Sequence, residues 1–97
     1  MPEPESNVAT FWLSALTIDP STGKTPEQVR VKLEEFDIEA RPVWKPMHLQ
    51  PVFSGAVMVG GGVSERIFAT GLCLPSGSSL SDADRNRIAD IVLSVLA

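Results

Sequence analysis

The sequence predicts an α+β fold: a small antiparallel or mixed sheet of short strands with helices packed on one face, in the order β-α-β-loop-α-β-α. Three observations carry that expectation. Two helix starts are written out in capping residues, Thr25-Pro26-Glu27-Gln28 and Ser81-Asp82-Ala83-Asp84. Short β-branched, aromatic or apolar runs lie between the helical stretches. Turn clusters such as Asp19-Pro20-Ser21-Thr22-Gly23 and Pro75-Ser76-Gly77 separate one from the next.

Residues 1–9 read as a loose polar lead-in. Residues 11–18, Phe-Trp-Leu-Ser-Ala-Leu-Thr-Ile, read as a strand apolar on both faces and hence covered on both sides, with Phe11 and Trp12 in the core. Thr25 is placed to cap the first helix, Pro26 has its φ preset for the first helical position, and Gln28 can close a capping box. Val29, Leu33 and Phe36 recur at helical spacing, so Leu33 and Phe36 are expected to be buried and the helix to end near Asp37. Ile38 to Val43 reads as a short strand. Pro42 cannot donate to a ladder, which puts it at an edge or a strand end. Residues 44–62 read as irregular, interrupted by Pro46 and Pro51 and loosened by Gly60-Gly61-Gly62. A second helix is expected over Val63 to Thr70, stopped by Gly71 as a left-handed C′ residue. Leu72-Cys73-Leu74 reads as a buried strand. The last helix runs from Ser81 to the end, burying Ile88, Ile91, Val92 and Val95.

Composition narrows the function. The chain has 97 residues, 43% hydrophobic and 21% charged, which suits one domain over residues 1–97 with a single modest core. A chain of this length is expected to have a radius of gyration of about 13 Å. A net charge of −4, with no basic run, argues against nucleic acid. No apolar stretch approaches the ~20 residues of a membrane span, and the acidic, proline-rich start is unlike a secretory signal. The single cysteine, Cys73, excludes an internal disulfide and a cysteine-based zinc site, and a reducing cytoplasm is the expected compartment.

Most chemical motifs fail on spacing. Gly23-Lys24-Thr25 resembles the end of a phosphate loop, but the glycine required five residues earlier is Ile18; a turn followed by an N-cap explains all three. The glycine triplet before the second helix is followed by Glu65, where a dinucleotide motif needs glycine and an anion would be repelled. His48 is the only histidine, so a multi-histidine metal site is excluded. Cys73, between two leucines, reads as an inert buried thiol. One stretch stands apart. Arg41 to Phe53, Arg-Pro-Val-Trp-Lys-Pro-Met-His-Leu-Gln-Pro-Val-Phe, concentrates two cations, an imidazole, an amide and two aromatics on a backbone stiffened by three prolines. Composition alone leaves open a binding loop or a surface loop whose prolines fix its path.

That loop, together with Phe11-Trp12-Leu13-Ser14 and Gly71-Leu72-Cys73-Leu74-Pro75-Ser76-Gly77-Ser78, resembles in content and order the DegT–StrS family of nucleotide-sugar aminotransferases. The similarity is to members linked to pilin, capsule or lipopolysaccharide sugars, and it covers the chain from about Glu3 onward. It is a resemblance to the C-terminal small domain of those enzymes. The family's large domain of fold type I holds the pyridoxal phosphate, the aspartate facing its pyridine nitrogen and the Schiff-base lysine. None of Lys24, Lys32 and Lys45 sits in that lysine's context.

The resemblance implies a domain of an enzyme that transfers an amino group to a keto-sugar nucleotide. Pyridoxal phosphate is expected in the full-length enzyme, none on this chain alone, and no activity from this chain by itself. The implied partners are the large aminotransferase domain or a second copy of the chain, with a nucleotide-sugar as ligand and neither nucleic acid nor membrane. The implied substrate-binding residues are Arg41 and Lys45 toward phosphate oxygens, His48 and Gln50 toward phosphate or sugar hydroxyls, and Trp44 stacked on a ring. The alternative is a stand-alone interaction or regulatory module that kept the fold without the enzyme. A small enzyme in its own right fares worst, because no nucleophile–base pair or metal set is present.

Overall fold

The computed structural model describes residues 5–97; residues 1–4, part of the expected lead-in, lie outside the described residues. The elements run β1 (Ser14–Thr17), α1 (Pro26–Glu34), β2 (Arg41–Pro42), α2 (Val63–Thr70), β3 (Gly71–Leu74) and α3 (Asp82–Leu96), with short 3-10 turns at Pro20–Thr22, Met47–Leu49 and Pro51–Phe53. The three strands form an antiparallel sheet in the order β1-β3-β2. This is the α+β architecture the sequence predicts.

Both capping expectations hold. The Thr25 hydroxyl accepts from the Gln28 N–H while the Gln28 side chain accepts from the Thr25 N–H. Ser81 and Asp84 repeat the exchange at α3. Each box satisfies two of the donors a helix start leaves unpaired. Regular helix α1 ends at Glu34, three residues short of the expected boundary. The chain then closes through Asp37 at φ 57°, with the Asp37 N–H donating to the Glu34 carbonyl and the Ile38 N–H to the Leu33 carbonyl. That paired closure sets Ile38 and Leu33, both core residues, on the same side.

Register explains the core. Leu72 on the central strand lies opposite Leu16 and Pro42, and the adjacent row is Ala15, Cys73 and Arg41. Successive side chains on a strand point to opposite faces. Leu72, with the partly buried Leu16 beside it, joins Val29 and Leu33 of α1 and Ile88, Ile91 and Val92 of α3 in one cluster, completed by Ile18, Ile38 and Ala40, while Pro42 on the edge strand is exposed. Val29, Leu33 and Leu72 are fully buried. On the other face Ala15 and Arg41 are exposed. Helices α1 and α3 therefore cover one face, and α2 packs at the start of β3.

Several expectations are corrected. The strand expected over 11–18 is regular only over Ser14–Thr17, the length paired with β3, because Phe11 turns the chain at φ 50° before it, and it is covered only on the face where the helices pack. Phe11 and Trp12 are 81% and 72% exposed and are not core. Phe36 is also exposed, because it falls in the closing turn after α1, where its ring lies under the Lys32 ammonium. Val95 is only partly buried at the frayed end of α3. The strand expected over 38–43 shrinks to Arg41–Pro42, the length over which it meets β3.

Gly71 is not a left-handed cap. It is extended, at φ −94° and ψ 148°, and begins β3 directly after α2. Glycine is required for a different reason: a Cβ there would lie 2.5 Å from the Ile67 carbonyl oxygen and 2.8 Å from both Val43 methyls. Residues 51–67 are exposed throughout, and the radius of gyration is 15.5 Å, above the value for a sphere-like chain of this length.

Candidate functional site

The proline loop leaves the edge strand β2 at Val43 and returns at α2. Its path is set locally. Pro46 is buried, and the Met47–Leu49 turn begins directly after it. The Gln50 side-chain amide donates to the Lys45 carbonyl at 3.2 Å and to the Met47 sulfur at 3.6 Å, closing the turn on itself. The far side is tied down by His48, whose Nε2 lies 2.7 Å from Oε1 of Glu65 on α2. His48 is 23% exposed, so most of its ring is covered.

The five residues expected to bind substrate divide by what already holds them. Gln50 and His48 are engaged in holding the loop. Arg41 stands on β2 with its guanidinium on Glu39, at 2.8 Å from Nε and 2.7 Å from Nη2. Both of those side chains are largely exposed, and an exposed pair of this kind contributes little and yields readily to a competing anion. Trp44 is 68% exposed and pairs with Trp12, the ring centroids 5.8 Å apart and the planes inclined by 40°. Lys45 is exposed, and among the described residues its ammonium has no ion pair. The structure thus brings Trp44, Lys45, His48 and Gln50 onto one stiff loop, with Arg41 at its root.

Two residues of this region were missed in the sequence. Trp12 reads as core from its aromatic run; nothing local announces that Phe11 redirects the chain. Glu65 is visible only as the acid that spoils a glycine motif, and its pairing with His48 spans seventeen residues of irregular chain. An acid in the first turn of a helix following a glycine run was the available signal, for the positive helix end favours it there.

Two grooves lie elsewhere. One, of about 510 Å³, runs between the ends of β1 and β3 and helix α3, walled by Leu16, Leu74, Leu80, Ile88, Val92 and Leu93. The other, of about 390 Å³, is bordered by Asp37, Glu39, Asp84 and Arg87. Neither contains any of the five loop residues. The first is apolar, and its one cation, Arg85, is occupied by Asp82 and the Leu80 carbonyl.

A model of the DegT/DnrJ/EryC1/StrS aminotransferase family matches residues 1–93. The chain belongs to this family. It is 40% identical over 97 residues to EpsN of Bacillus subtilis (strain 168), which carries the name of a pyridoxal phosphate-dependent aminotransferase, covering 96% of this chain and 24% of EpsN. It is 30% identical over 86 residues to the GDP-perosamine synthase of Caulobacter vibrioides, covering 89% of this chain and 23% of that enzyme. Among solved structures, the fold is shared with a DegT DnrJ EryC1 StrS aminotransferase from Brucella abortus at a TM-score of 0.77 and 24% identity, over 96% of this chain and 24% of that one. It is shared also with the aminotransferase TlmJ from Streptoalloteichus hindustanus at 0.81 and 22%, over 99% and 25%. The chain therefore spans about a quarter of the length of the relatives it matches.

The cofactor named for EpsN does not fit the residues of this DegT-family chain. Lys32 is bound to Glu35 at 2.7 Å on the outside of α1. Lys24 lies in the turn before the Thr25 cap, and Lys45 on the proline loop. Neither groove has a lysine in its wall. Every α-helix start carries an acid in its first turn, Glu27, Glu65, or Asp82 and Asp84, where a cofactor phosphate would need positive potential. No step of the chemistry is assigned to this chain through that group. Among the described residues, no helix is long and apolar enough to cross a membrane.

Proposed function

We propose that this chain is the C-terminal small domain of a pyridoxal phosphate-dependent nucleotide-sugar aminotransferase, and that its proline loop supplies part of the substrate cleft. On this reading the chain is inactive alone, and the enzyme works in the cytoplasm on a sugar for a surface polysaccharide or a pilin glycan. The observation that carries it is the state of the loop. Its middle is held by His48–Glu65 and closed by Gln50–Lys45, while Trp44 and Lys45 remain exposed and Arg41 is held only by an exposed partner. A loop held in this way, with Lys45 unpaired among the described residues, Arg41 on an exposed partner and the Trp44 indole exposed, is pre-organised to bind, because part of the ordering cost has been met before the ligand arrives.

The chemistry of a nucleotide-sugar suits that set. Arg41 offers a planar fork and Lys45 a point charge for diphosphate oxygens. Trp44 offers a ring face to a base or sugar. His48 and Gln50 bring hydrogen-bonding groups to the same loop. The cofactor, when bound in the remaining part of the enzyme, would supply the amino-transfer chemistry; this domain would help to position the sugar substrate.

The test is substrate titration of Arg41→Ala, Lys45→Ala and His48→Ala in the complete enzyme, with cofactor occupancy read in parallel. A charge-assisted contact to phosphate is worth about 1.5–3 kcal/mol. Each cation removed is therefore expected to raise the apparent dissociation constant about tenfold or more, with cofactor content unchanged. Unchanged substrate affinity in all three variants would leave the loop a surface feature and favour the interaction-module alternative.

A further inference from the structure

We infer that Glu65 is a positioning residue for His48: it holds a neutral ring through Nε2–H and so leaves Nδ1 as the acceptor for a hydroxyl of the ligand, not for its phosphates. The inference rests on the cleft reading above and narrows what His48 does within it. Its basis is the 2.7 Å contact between His48 Nε2 and Glu65 Oε1, which joins the proline loop to α2.

An ionised carboxylate can only accept hydrogen bonds. The contact therefore requires a hydrogen on Nε2. An imidazolium would make the same contact with Nδ1 as a second donor; in the neutral ring inferred here Nδ1 is an acceptor, because the two nitrogens then take opposite roles. An acceptor nitrogen recognises an O–H or N–H. It gains nothing from a phosphate oxygen, which is itself an acceptor. The sugar hydroxyls of a nucleotide-sugar carry such donors and its diphosphate does not. Phosphate recognition is left to Arg41 and Lys45.

Glu65 is well placed for this task. It is the third residue of α2, in the turn where the helix end favours negative charge. It is half exposed while His48 is mostly covered, so the carboxylate stays hydrated as it holds the ring. The turn that carries His48 is closed on itself by Gln50 on the Lys45 carbonyl, a bond that does not involve Glu65. Removing Glu65 thus frees the ring without releasing the whole loop.

His48 is the sole histidine, so a chain labelled with ¹⁵N-histidine gives one ring to observe. The expected spectrum shows Nε2 protonated, with its proton shielded from exchange with water. In Glu65→Ala that proton is expected to exchange too fast to detect, and in Glu65→Asp to be recovered in part. Should the alanine variant not fold, Glu65→Gln replaces it, and the Nε2 and Hε2 shifts are expected to move toward those of a free ring. A proton on Nδ1 in the wild type, or an Hε2 signal indifferent to every Glu65 variant, overturns the inference.

The second arm uses the complete enzyme, with its keto-sugar nucleotide as substrate and the corresponding nucleoside diphosphate as competitor. Glu65→Ala is expected to raise KM by at least half, on a logarithmic scale, of the increase in His48→Ala, with inhibition by the diphosphate unchanged. The double variant is expected to be no worse than His48→Ala, as for two residues acting as one unit. If His48→Ala raises KM and Glu65→Ala does not, the positioning role fails while the cleft reading stands. If His48→Ala weakens the diphosphate as much as the substrate, the hydroxyl assignment is overturned. If neither ligand responds to His48→Ala, the cleft role of His48 itself is lost.

Discussion

Replacing Gly71 with alanine is expected to destabilise the fold by about 2 kcal/mol, although the backbone there is ordinary for any residue. At φ −94° and ψ 148° an alanine meets no conformational strain, so the cost is steric. The added Cβ would lie 2.5 Å from the Ile67 carbonyl oxygen and 2.8 Å from both methyls of Val43. Rotating Val43 moves one methyl and brings another near, and the carbonyl belongs to the last turn of α2, which moves only with its helix. Overpacking of this kind costs about 1–3 kcal/mol, and three contacts, one of them to backbone, place it near the upper end. The loss of unfolded-state freedom on going from glycine to alanine returns about 0.4–1 kcal/mol. The balance of roughly 2 kcal/mol corresponds to a drop in melting temperature of about 8–16 °C for a domain of this size. Thermal unfolding followed by circular dichroism reads it directly. Gly61→Ala is the control, since nothing lies within 4 Å of a Cβ there; its effect should stay within about 0.5 kcal/mol. A Gly71→Ala chain melting with the control would refute the close approach of α2, β3 and Val43, and with it the geometry that carries Glu65 to His48.

Leu72→Ala, at a fully buried position of the central strand, is expected to cost about 2–5 kcal/mol in urea unfolding, and Ile91→Ala to fall in the same range; a cost below about 0.5 kcal/mol would mean the helix-covered face is assigned wrongly. The α3 capping box should show in the pH dependence of stability. Hydrogen bonds from the Ser81 hydroxyl and backbone N–H hold the Asp84 carboxyl below its ordinary value of 3.8, so its contribution is complete above that pH and is lost as pH falls through the lower folded value. The difference in melting temperature between wild type and Asp84→Asn should therefore be largest near neutrality and shrink as the pH falls below 3.8 and through the lower folded value; a difference that is the same at both ends would show that the carboxylate charge is irrelevant to the cap.

What the sequence revealed, it revealed through local chemistry. Thr25–Gln28 and Ser81–Asp84 specify their own helix starts, and Ile88, Ile91 and Val92 recur on one face whatever lies opposite. Val63–Thr70 is bounded by glycines on both sides. Errors arose where the outcome depends on distant partners. Apolar residues on both faces of 11–18 say that each face can be covered, not by what, and β1 has a helix layer on one side only. Gly71 was correctly expected to end α2 but for the wrong reason, because the crowding by Val43 is a tertiary fact. The loop from Arg41 to Phe53 was legible as a concentration of cationic, polar and aromatic side chains on a proline-stiffened backbone. Which of them are already spent on holding the loop was not, since that depends on Glu65 and on the fold of α2.

The exposed aromatic residues follow from the same division. The core is complete without them: Val29, Leu33 and Leu72 are fully buried, and among the described residues no buried side-chain polar atom lacks a partner. Phe11, Trp12 and Trp44 are therefore surplus to the stability of the sheet and its two helices. So are Val57 and Val59, each 94% exposed on the arm leading to α2. Scattered apolar residues need no explanation on a protein surface, but several together on one stretch mark surfaces that meet something else. Here Trp12 pairs with Trp44 on the loop that also carries Lys45 and the tethered His48, with Arg41 at its root. Stability resides on the helix-covered face, so substitutions among Trp12, Trp44 and Lys45 can alter binding while leaving the fold intact. That separation is what makes the loop testable. A Trp44→Ala variant that melts like the wild type and still binds a nucleotide-sugar normally would show that the indole pair serves neither the stability of the fold nor the ligand. The same variant with weakened binding would place the pair at the ligand.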